Sequence, residues 1–250
     1  ETAALQGRDI LFVVETSGAR TSSDLDAQSQ ILRAVLAGLD PLHDRVALAA
    51  ADVSFVPLTP GWVNLYSGQI AEAQAALDRR APLGALDLEN ALSSAADFAA
   101  RNHDEKREQL VVFIGSGVPS LGTLDAAVLT ESAATKFLVA GVRFSGFAVG
   151  RTVDSLILSA LARRTNGLYL PLKGDEDQAE TAFLAALSLQ TPWIEAPALS
   201  AVGATLSDIR PDELGSVLPG QEVFLHARLQ GTPRSFEVSI AGQLNGKAYA

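Results

Sequence analysis

Short apolar runs alternate with longer amphipathic stretches through residues 1–189. Two of the runs, at residues 9–14 and 110–114, are almost wholly apolar, which is typical of strands buried on both faces of a parallel sheet. Between the runs, apolar residues recur at helical spacing, for example at Leu88 and Leu92. The pattern therefore predicts an α/β domain, with a doubly wound, mostly parallel six-stranded sheet and helices on both faces.

The same pattern, with its turn and capping residues, sets the expected bounds of each element. The six predicted strands are residues 9–14, 45–50, 54–58, 110–114, 142–149 and a strand within 167–172. The predicted helices are one that begins after an N-cap at Ser22 or Ser23 and ends near Gly38, followed by residues 70–80, 88–102, 124–140, 155–164 and 177–189. No helix fits between the second and third strands, so these two are predicted to form a hairpin-like pair at one edge of the sheet.

The pattern changes after residue 189. Residues 190–198 contain two prolines and Trp193, and they are predicted to be a linker in which the tryptophan pins the flanking regions together. Residues 199–250 then alternate over short runs and are predicted to be a small β-rich segment, resembling an incomplete sandwich. Strands are expected at residues 203–206, 222–229, 235–240 and from 243 onward, with turns at 231–233, 241–242 and 245–246. Such a segment either pairs with sequence outside this chain or packs on the α/β domain.

Composition and net charge indicate which kinds of molecule the protein is expected to bind. The 250 residues are 48% hydrophobic and 19% charged, as in ordinary folded proteins. A formal charge of −10 argues against nucleic acid, which needs a basic face, and against docking on anionic lipid. No apolar stretch reaches the roughly 20 residues of a membrane span, and the absence of cysteine excludes disulfides and thiolate metal sites. We therefore expect a protein partner, with no nucleic acid and no direct insertion into a membrane.

Polar turns follow the first and fourth predicted strands. Residues 15–19 have the sequence Glu-Thr-Ser-Gly-Ala, and residues 115–120 have the sequence Gly-Ser-Gly-Val-Pro-Ser. Because the carboxyl ends of parallel strands meet at one edge of a sheet, where α/β folds bind ligands, we expect the two turns to lie together. The sequence therefore predicts a ligand site between the first and fourth strands.

The order of the elements and the two turns resemble a von Willebrand factor type A domain over residues 8–189. In that family the first turn is Asp-x-Ser-x-Ser, a threonine precedes an Asp-Leu helix start, and the fourth strand ends in Asp-Gly. The resemblance implies that these positions would carry a magnesium or manganese ion, which the carboxylate of a partner completes. Matched position by position, Glu15 stands at the first Asp, Ser17 is retained, and Asp87 keeps the helix start.

Most of the ligand positions of that family have changed in this chain. Ala19 stands for the second serine, Leu86 for the threonine and Ser116 for the final aspartate. Magnesium requires about six oxygens, usually including carboxylates, whereas Ala19 and Leu86 supply none and Glu15 is one methylene longer than aspartate. We therefore predict no metal and no other cofactor. Instead, Glu15 is expected to accept hydrogen bonds from Ser116 or from backbone N–H groups around Gly117.

The resemblance implies a non-catalytic protein-interaction or structural module whose metal-ion-dependent adhesion site is degenerate. A partner is expected to bind the rim of that site or the edge strand at residues 54–58. The rim is predicted to comprise Glu15, Thr16, Ser17, Gly18, Ala19, Leu86, Asp87, Ser116, Gly117 and Ser120. The alternative is a metal-dependent adhesion domain in which Glu15, Ser17 and Ser116 hold a weak magnesium or manganese ion.

Motifs for catalysis and for nucleotide binding are incomplete. Gly115, Gly117 and Gly122 do not have Gly-x-Gly-x-x-Gly spacing, and no Gly-x-Ser-x-Gly elbow surrounds a serine. The three histidines lie away from both site serines in the predicted order of elements. Acidic residues 175–177 lack the pattern of a calcium loop and suit a helix N-terminus. We therefore predict that the chain is not an enzyme.

A second resemblance concerns residues 207–250, which are similar to the β-segment that follows the A-type domain in inter-alpha-trypsin heavy chains and their bacterial relatives. It rests on Leu218-Pro-Gly-Gln221 and Leu244-Asn-Gly246. The resemblance implies a bacterial protein outside the cytoplasm, in the periplasm, the envelope or the medium, with flanking domains that contact this chain. Because the chain begins with a glutamate and not with methionine, we expect a processed chain or an excised fragment.

Overall fold

The computed structural model of the protein describes residues 7–101, 103–172, 178–212, 214–231, 235–244 and 247–249. The α/β part contains β1 (Arg8–Glu15), α1 (Ser22–Gly38), β2 (Arg45–Ala51), β3 (Phe55–Pro57), β4 (Val63–Asn64), α2 (Gly68–Asp78), α3 (Leu88–Arg101), β5 (Glu108–Gly115), α4 (Ala126–Ala140), β6 (Arg143–Val149), α5 (Ser155–Arg164), β7 (Tyr169–Leu172) and α6 (Gln178–Gln190). The strands that follow are β8 (Ile194–Val202), β9 (Thr205–Arg210), β10 (His226–Gln230), β11 (Glu237–Leu244) and β12 (Lys247–Tyr249).

A seven-stranded sheet forms the centre of the α/β part. Its strand order is β3-β2-β1-β5-β6-β7, and β4 also pairs with β2. β1, β2, β5, β6 and β7 are parallel, whereas β3 and β4 run antiparallel to β2. The predicted doubly wound, mostly parallel sheet and its edge hairpin are therefore confirmed. The additional strand is β4, whose two residues are too few for an alternating pattern to predict.

Helices cover both faces of the sheet because successive residues of β1 point to opposite sides. Ile10, Phe12 and Val14 pack with apolar residues of α1, α2 and α6. Leu11 and Val13 pack with apolar residues of α3, α4 and α5. All five of these β1 side chains are buried, which confirms the predicted helical layers.

The strand order reverses beside β1. The chain passes from β1 through α1 to β2 on one side, and it later enters β5 on the other side of β1. The loops that leave β1 and β5 therefore diverge over opposite faces of the sheet, as at the switch points where α/β folds commonly bind ligands. The two turns of the predicted site follow these two strands.

Three helices, α1, α2 and α4, begin at positions that differ from the prediction; α2 begins at Gly68, two residues before its predicted start. The N-cap of α1 is Thr21, because its hydroxyl accepts a hydrogen bond from the Asp24 N–H while the Asp24 carboxylate accepts one from the Thr21 N–H. The prediction of Ser22 or Ser23 therefore placed the cap too late. The N-cap of α4 is Asp125, whose carboxylate accepts hydrogen bonds from the first turn, so this helix begins two residues after the predicted start.

The β-rich segment forms a three-stranded sheet of order β12-β11-β8 and a two-stranded ribbon of β9 and β10. β8 begins at Ile194, so the stretch predicted as a linker is partly strand. Its prolines suggested a linker, but β8 lies at the edge of its sheet, where proline is tolerated. Gly242, which was predicted to lie in a turn, belongs to β11. A Cβ at this position would come within 2.6 Å of an Ile194 methyl group, so the strand has room only for a glycine here.

Trp193 anchors the β-rich segment to the α/β part, as predicted. Its side chain is buried in the apolar cluster that includes residues of α1 and α6. Arg143 of β6 adds an ion pair with Glu195 of β8 at 2.8 Å. The division of the chain into two domains stays a prediction.

Several expectations fall wholly or partly outside the described residues. They concern the acidic cluster 175–177 and the turns at 231–233 and 245–246. Among the helices that the structure describes, none combines the length and the apolar character needed to cross a bilayer.

Candidate functional site

The turns after β1 and β5 meet at the carboxyl end of the sheet. The two strands are parallel neighbours with Val14 opposite Ile114, so Glu15 reaches the beginning of the second turn. Glu15 Oε2 accepts hydrogen bonds from the Ser116 N–H at 2.6 Å and from the Ser116 hydroxyl at 2.8 Å. The expectation that Ser116 would satisfy Glu15 is therefore confirmed.

The other oxygen of Glu15 faces the first turn. Glu15 Oε1 accepts a hydrogen bond from the Ser17 hydroxyl at 2.7 Å. Glu15 is fully buried, and Ser17 and Ser116 are each only 1% exposed. Both carboxylate oxygens are therefore partnered by groups of the protein, as a buried charge requires.

A glycine makes room for this carboxylate. Gly115 ends β5, and a Cβ at that position would lie 2.5 Å from Glu15 Cβ and 2.6 Å from Glu15 Oε2. Both distances are far inside van der Waals contact. The observed conformation of Glu15 therefore depends on the absence of a side chain at position 115.

Arg20 is a member of the site that the sequence prediction missed. Its N–H donates to the Ser17 carbonyl at 3.1 Å, which closes the first turn and brings the side chain back over Glu15. Arg20 Nε lies 3.3 Å from Glu15 Oε1, although it is not aligned for a hydrogen bond. Because the Arg20 side chain is only 5% exposed, the two residues form a buried ion pair. A basic residue directly after a turn that begins with a glutamate was the available signal.

Leu86, Asp87 and Ser120 form a neighbouring cluster with structural contacts of its own. The Ser120 hydroxyl accepts a hydrogen bond from the Leu86 N–H at 2.9 Å, and the Leu86 carbonyl accepts one from the Ser120 N–H at 3.0 Å. Asp87 caps α3 through the Asn90 N–H at 3.0 Å. The Leu86 side chain is buried in the apolar cluster beneath α3, α4 and α5. These residues hold the loops that surround Glu15 in place.

Thr16 belongs to a second polar cluster, with Asp52 and Arg80, which the sequence did not predict. The Thr16 hydroxyl donates to Asp52 Oδ2 at 3.1 Å, and Arg80 Nη2 donates to the same oxygen at 2.7 Å. Burial raises the pKa of the Asp52 carboxyl, but hydrogen bonds from Arg80, from the Ser54 N–H and from Thr16 outweigh it, so the pKa lies below its usual value. This cluster ties β2 to the loop that precedes α3.

Only part of the predicted rim reaches solvent. Gly18, Ala19 and Ser120 are exposed and Asp87 is half-buried. The predicted rim residues that are buried are Glu15, Thr16, Ser17, Leu86, Ser116 and Gly117. Five large apolar side chains are exposed on the loops and helix starts at the same end of the sheet, and we define them as the carboxyl-end apolar surface: Val53, Leu83, Leu121, Leu124 and Leu156.

With the Arg20 guanidinium in place, the side chains at the site do not fit a divalent metal ion. Among the described residues, no group of three or more histidine, cysteine or acidic side chains could hold one. Glu15 already accepts three hydrogen bonds and lies against a guanidinium, whereas Ala19 and Leu86 supply no side-chain oxygen. Magnesium and manganese sites need several oxygens, usually with more than one negative charge. The donor set therefore falls short of either ion.

Comparison with known proteins places these features in a family. The family model of the von Willebrand factor type A domain matches residues 8–170, which is well over half of the chain and includes both turns of the site. A comparison with curated proteins found no match.

Solved structures of low sequence identity share the fold. A von Willebrand factor type A protein from Catenulispora acidiphila is 13% identical with a TM-score of 0.63, over 98% of this chain and 64% of that chain. An aerotolerance-related membrane protein from Bacteroides fragilis is 14% identical with a TM-score of 0.56, over 74% of this chain and 99% of that chain. The manganese-loaded TRAP protein of Plasmodium vivax is 14% identical with a TM-score of 0.53, over 94% of this chain and 93% of that chain. At these identities the likeness establishes the fold alone.

Proposed function

This chain belongs to the von Willebrand factor type A domain family, and on that premise we propose that it is a non-catalytic module that binds a protein partner without a metal ion. Domains of this family commonly mediate protein interactions and adhesion. The formal charge of −10 disfavours nucleic acid and anionic lipid as alternatives.

The observation that carries this proposal is the closed state of the Glu15 carboxylate. Its oxygens accept hydrogen bonds from Ser17 and Ser116 at 2.6 to 2.8 Å, and the residue is fully buried. A partner carboxylate has no access to this group, and a cation would have to displace the groups that already satisfy it. Binding through an open metal position is therefore disfavoured.

The contact surface that we propose is the exposed remainder of the same end of the sheet. Gly18, Ala19 and Ser120 lie at the loop tips, beside the carboxyl-end apolar surface. Leu83 and Leu156 are 68% and 76% exposed, so a partner that covers this end of the sheet would bury apolar surface. Gly18 links the loops, because its N–H donates to the Gly84 carbonyl at 2.9 Å.

A metal-dependent adhesion domain is the second candidate. One observation favours it: the hydroxyls of Ser17 and Ser116, which with Glu15 would hold a weak ion, both lie within hydrogen-bond distance of the Glu15 carboxylate. The two candidates differ in what magnesium or manganese does to the folded protein, because a ligand that binds only the folded state raises its stability.

Calorimetric titration and thermal unfolding with MgCl₂ and with MnCl₂ separate the two candidates. For the wild type we expect no saturable heat and no rise in Tm beyond that of NaCl at matched ionic strength. The Glu15→Gln variant should be less stable and equally insensitive to both cations. A saturable rise in the wild type that disappears in Glu15→Gln would establish the second candidate instead.

The contact surface is tested by paired substitutions at opposite ends of the sheet. Leu83→Asp places a charge on the carboxyl-end apolar surface, whereas Leu42→Asp places one between α1 and β2, where the wild-type residue is 85% exposed. A partner recovered by cross-linking to the wild type should bind Leu83→Asp at least about tenfold more weakly, which corresponds to about 1.4 kcal/mol. Equal affinity for the two variants would contradict the proposed surface.

We further infer that the protein acts outside the cytoplasm, with flanking domains of the same polypeptide near this chain. The inference is supported by the resemblance of the β-rich segment to the inter-alpha-trypsin type and by the similar fold of a Bacteroides fragilis protein described as a membrane protein. Cell fractionation of the tagged full-length polypeptide tests it, and recovery in the cytoplasmic fraction would contradict it.

A further inference from the structure

We infer that Arg20 is the built-in cation of this site: its guanidinium neutralises Glu15 and excludes divalent cations, so removing it would open a site for magnesium or manganese. The inference rests on the proposed function, because it explains why the wild-type site works without metal. It also makes a prediction about the partner. Because the cation of the site is an internal, buried guanidinium, the partner does not have to supply a carboxylate.

The contacts of the guanidinium place it as a counterion. Arg20 Nε lies 3.3 Å from Glu15 Oε1, and Arg20 Nη1 lies 3.9 Å from Asp24 Oδ2. One buried cation therefore lies between two carboxylates. Nη1 also donates to the Val149 carbonyl at 3.1 Å, so the group is anchored to the end of β6 as well. Its position does not depend on Glu15 alone.

The backbone of β6 leaves space for this side chain. Gly150 follows β6 with φ +116°, and a Cβ at that position would lie 2.6 Å from Arg20 Nη1 and 3.1 Å from Asp24 Oδ1. A side chain at position 150 would therefore force the end of Arg20 to shift, and the φ of Gly150 lies in a region that favours glycine. The loop after β6, remote in sequence from the first turn, is therefore shaped around Arg20.

Removing Arg20 would change the charge of the site while keeping its oxygens. Glu15 would lose its positive neighbour, and the carboxylate of Asp24 would face the vacated space. Two carboxylates and the hydroxyls of Ser17 and Ser116 form a set of hard oxygen ligands, which magnesium and manganese prefer. An uncompensated buried carboxylate is unstable, so a divalent cation that entered would stabilise the fold.

The test compares thermal unfolding of the wild type, Arg20→Ala and Arg20→Lys in MgCl₂, MnCl₂ and NaCl at matched ionic strength. Arg20→Ala should have a lower Tm than the wild type, and millimolar magnesium or manganese should raise that Tm saturably by about 3 °C or more. Arg20→Lys keeps a positive charge, so magnesium and manganese should change its Tm only slightly. The double variant Arg20→Ala with Glu15→Gln should show no saturable rise in Tm with either cation, because the Glu15 carboxylate is gone.

The outcomes separate this inference from the proposed function. A saturable rise in the wild type would overturn the proposed function. A wild type and an Arg20→Ala variant that are equally insensitive to both cations would overturn the present inference and leave the proposed function standing. Arg20→Gln, which keeps the bulk of the side chain, serves as a second variant. If both neutral variants are unfolded without cations, circular dichroism during a magnesium titration decides, and failure to refold counts against the inference.

Discussion

The two ends of β1 each carry a fully buried carboxylate, but the partners of the two groups differ. At the amino end, Asp9 accepts hydrogen bonds from Arg45 at 2.7 and 2.9 Å and from Arg107 at 2.6 Å. At the carboxyl end, Glu15 accepts from two serines and has one guanidinium, Arg20, at 3.3 Å. The hydrogen bond to Asp9 raises the pKa of the Arg45 guanidinium. Asp9 is clamped by two positively charged side chains, whereas neutral serine groups donate the hydrogen bonds to Glu15.

The difference follows from the position of each group on the sheet. Asp9 connects the beginnings of three adjacent strands, since Arg45 begins β2 and Arg107 directly precedes β5. Glu15 lies at the switch point between β1 and β5, where the loops diverge over opposite faces of the sheet. Burial of a carboxylate is therefore not evidence of a ligand site by itself. Its place relative to the strand ends and the charge of its partners distinguish a structural clamp from a candidate ligand site.

Removal of the clamp should have the largest effect. Asp9→Asn leaves Arg45 and Arg107 without the carboxylate that both contact, and breaking one partner of a buried ion pair typically costs about 3 to 5 kcal/mol. Because Arg45 is one-third exposed, we expect a loss at the lower end of this range, about 3 kcal/mol in the free energy of unfolding measured with urea. Asp97→Asn on the exposed face of α3 is the matched control and should change the free energy of unfolding by less than about 0.5 kcal/mol.

The corresponding change at the carboxyl end should cost less. Glu15→Gln keeps an acceptor oxygen for the serines but leaves Arg20 with Asp24 as its remaining charge partner, and we expect a loss of about 2 kcal/mol in the same urea assay. Only one guanidinium is affected, and it keeps its hydrogen bond to the Val149 carbonyl. A loss equal to or larger than that of Asp9→Asn would contradict the distinction between clamp and candidate ligand site.

A third substitution tests the packing around Glu15 without changing any charge. Gly115→Ala introduces a Cβ 2.6 Å from Glu15 Oε2, so the carboxylate must move away from its donors. Overpacking of this kind costs about 1 to 3 kcal/mol, and the lower entropy of unfolded alanine offsets part of it, so we expect a net loss of about 1 kcal/mol. Gly68→Ala, with no atom within 4 Å of the new Cβ, is the control and should not destabilise the protein. Equal stability of the two variants would contradict the close fit around Glu15.

The fold could be predicted because apolar runs and turn residues are local features of the sequence. Part of the site could not be predicted, because it depends on contacts between residues far apart in sequence. The apolar runs of β1 and β5 and the glycines of the turns predict the sheet and the crevice, and the contact of Glu15 with Ser116 follows from strands that end side by side. Arg20 was missed because its place depends on Gly150, which belongs to a loop far away in sequence. β8 was missed because Pro197 and the nearby Pro192 are typical of a linker, although proline is tolerated in an edge strand.

The smallest expected effect concerns pH and the cluster of Asp52, Thr16 and Arg80 beside the site. The pKa of Asp52 is lowered in the folded protein, because hydrogen bonds from Arg80, Ser54 N–H and Thr16 outweigh its burial. A carboxyl with a lowered folded pKa contributes stability that is fully present above its unfolded pKa, about 3.9, and that is lost as the pH falls through its folded pKa.

Asp52→Asn removes this contribution, so its free energy of unfolding should fall less between pH 5 and pH 2 than that of the wild type. Since the Arg80 side chain is 28% exposed, we expect the difference between the two losses to stay below about 1 kcal/mol. Urea unfolding at several pH values measures it, and Asp97→Asn should follow the wild-type curve. If the free energies of unfolding of the wild type and Asp52→Asn change in parallel with pH, Asp52 does not contribute to the pH dependence of stability. In that case the acid sensitivity of the protein would have to originate elsewhere.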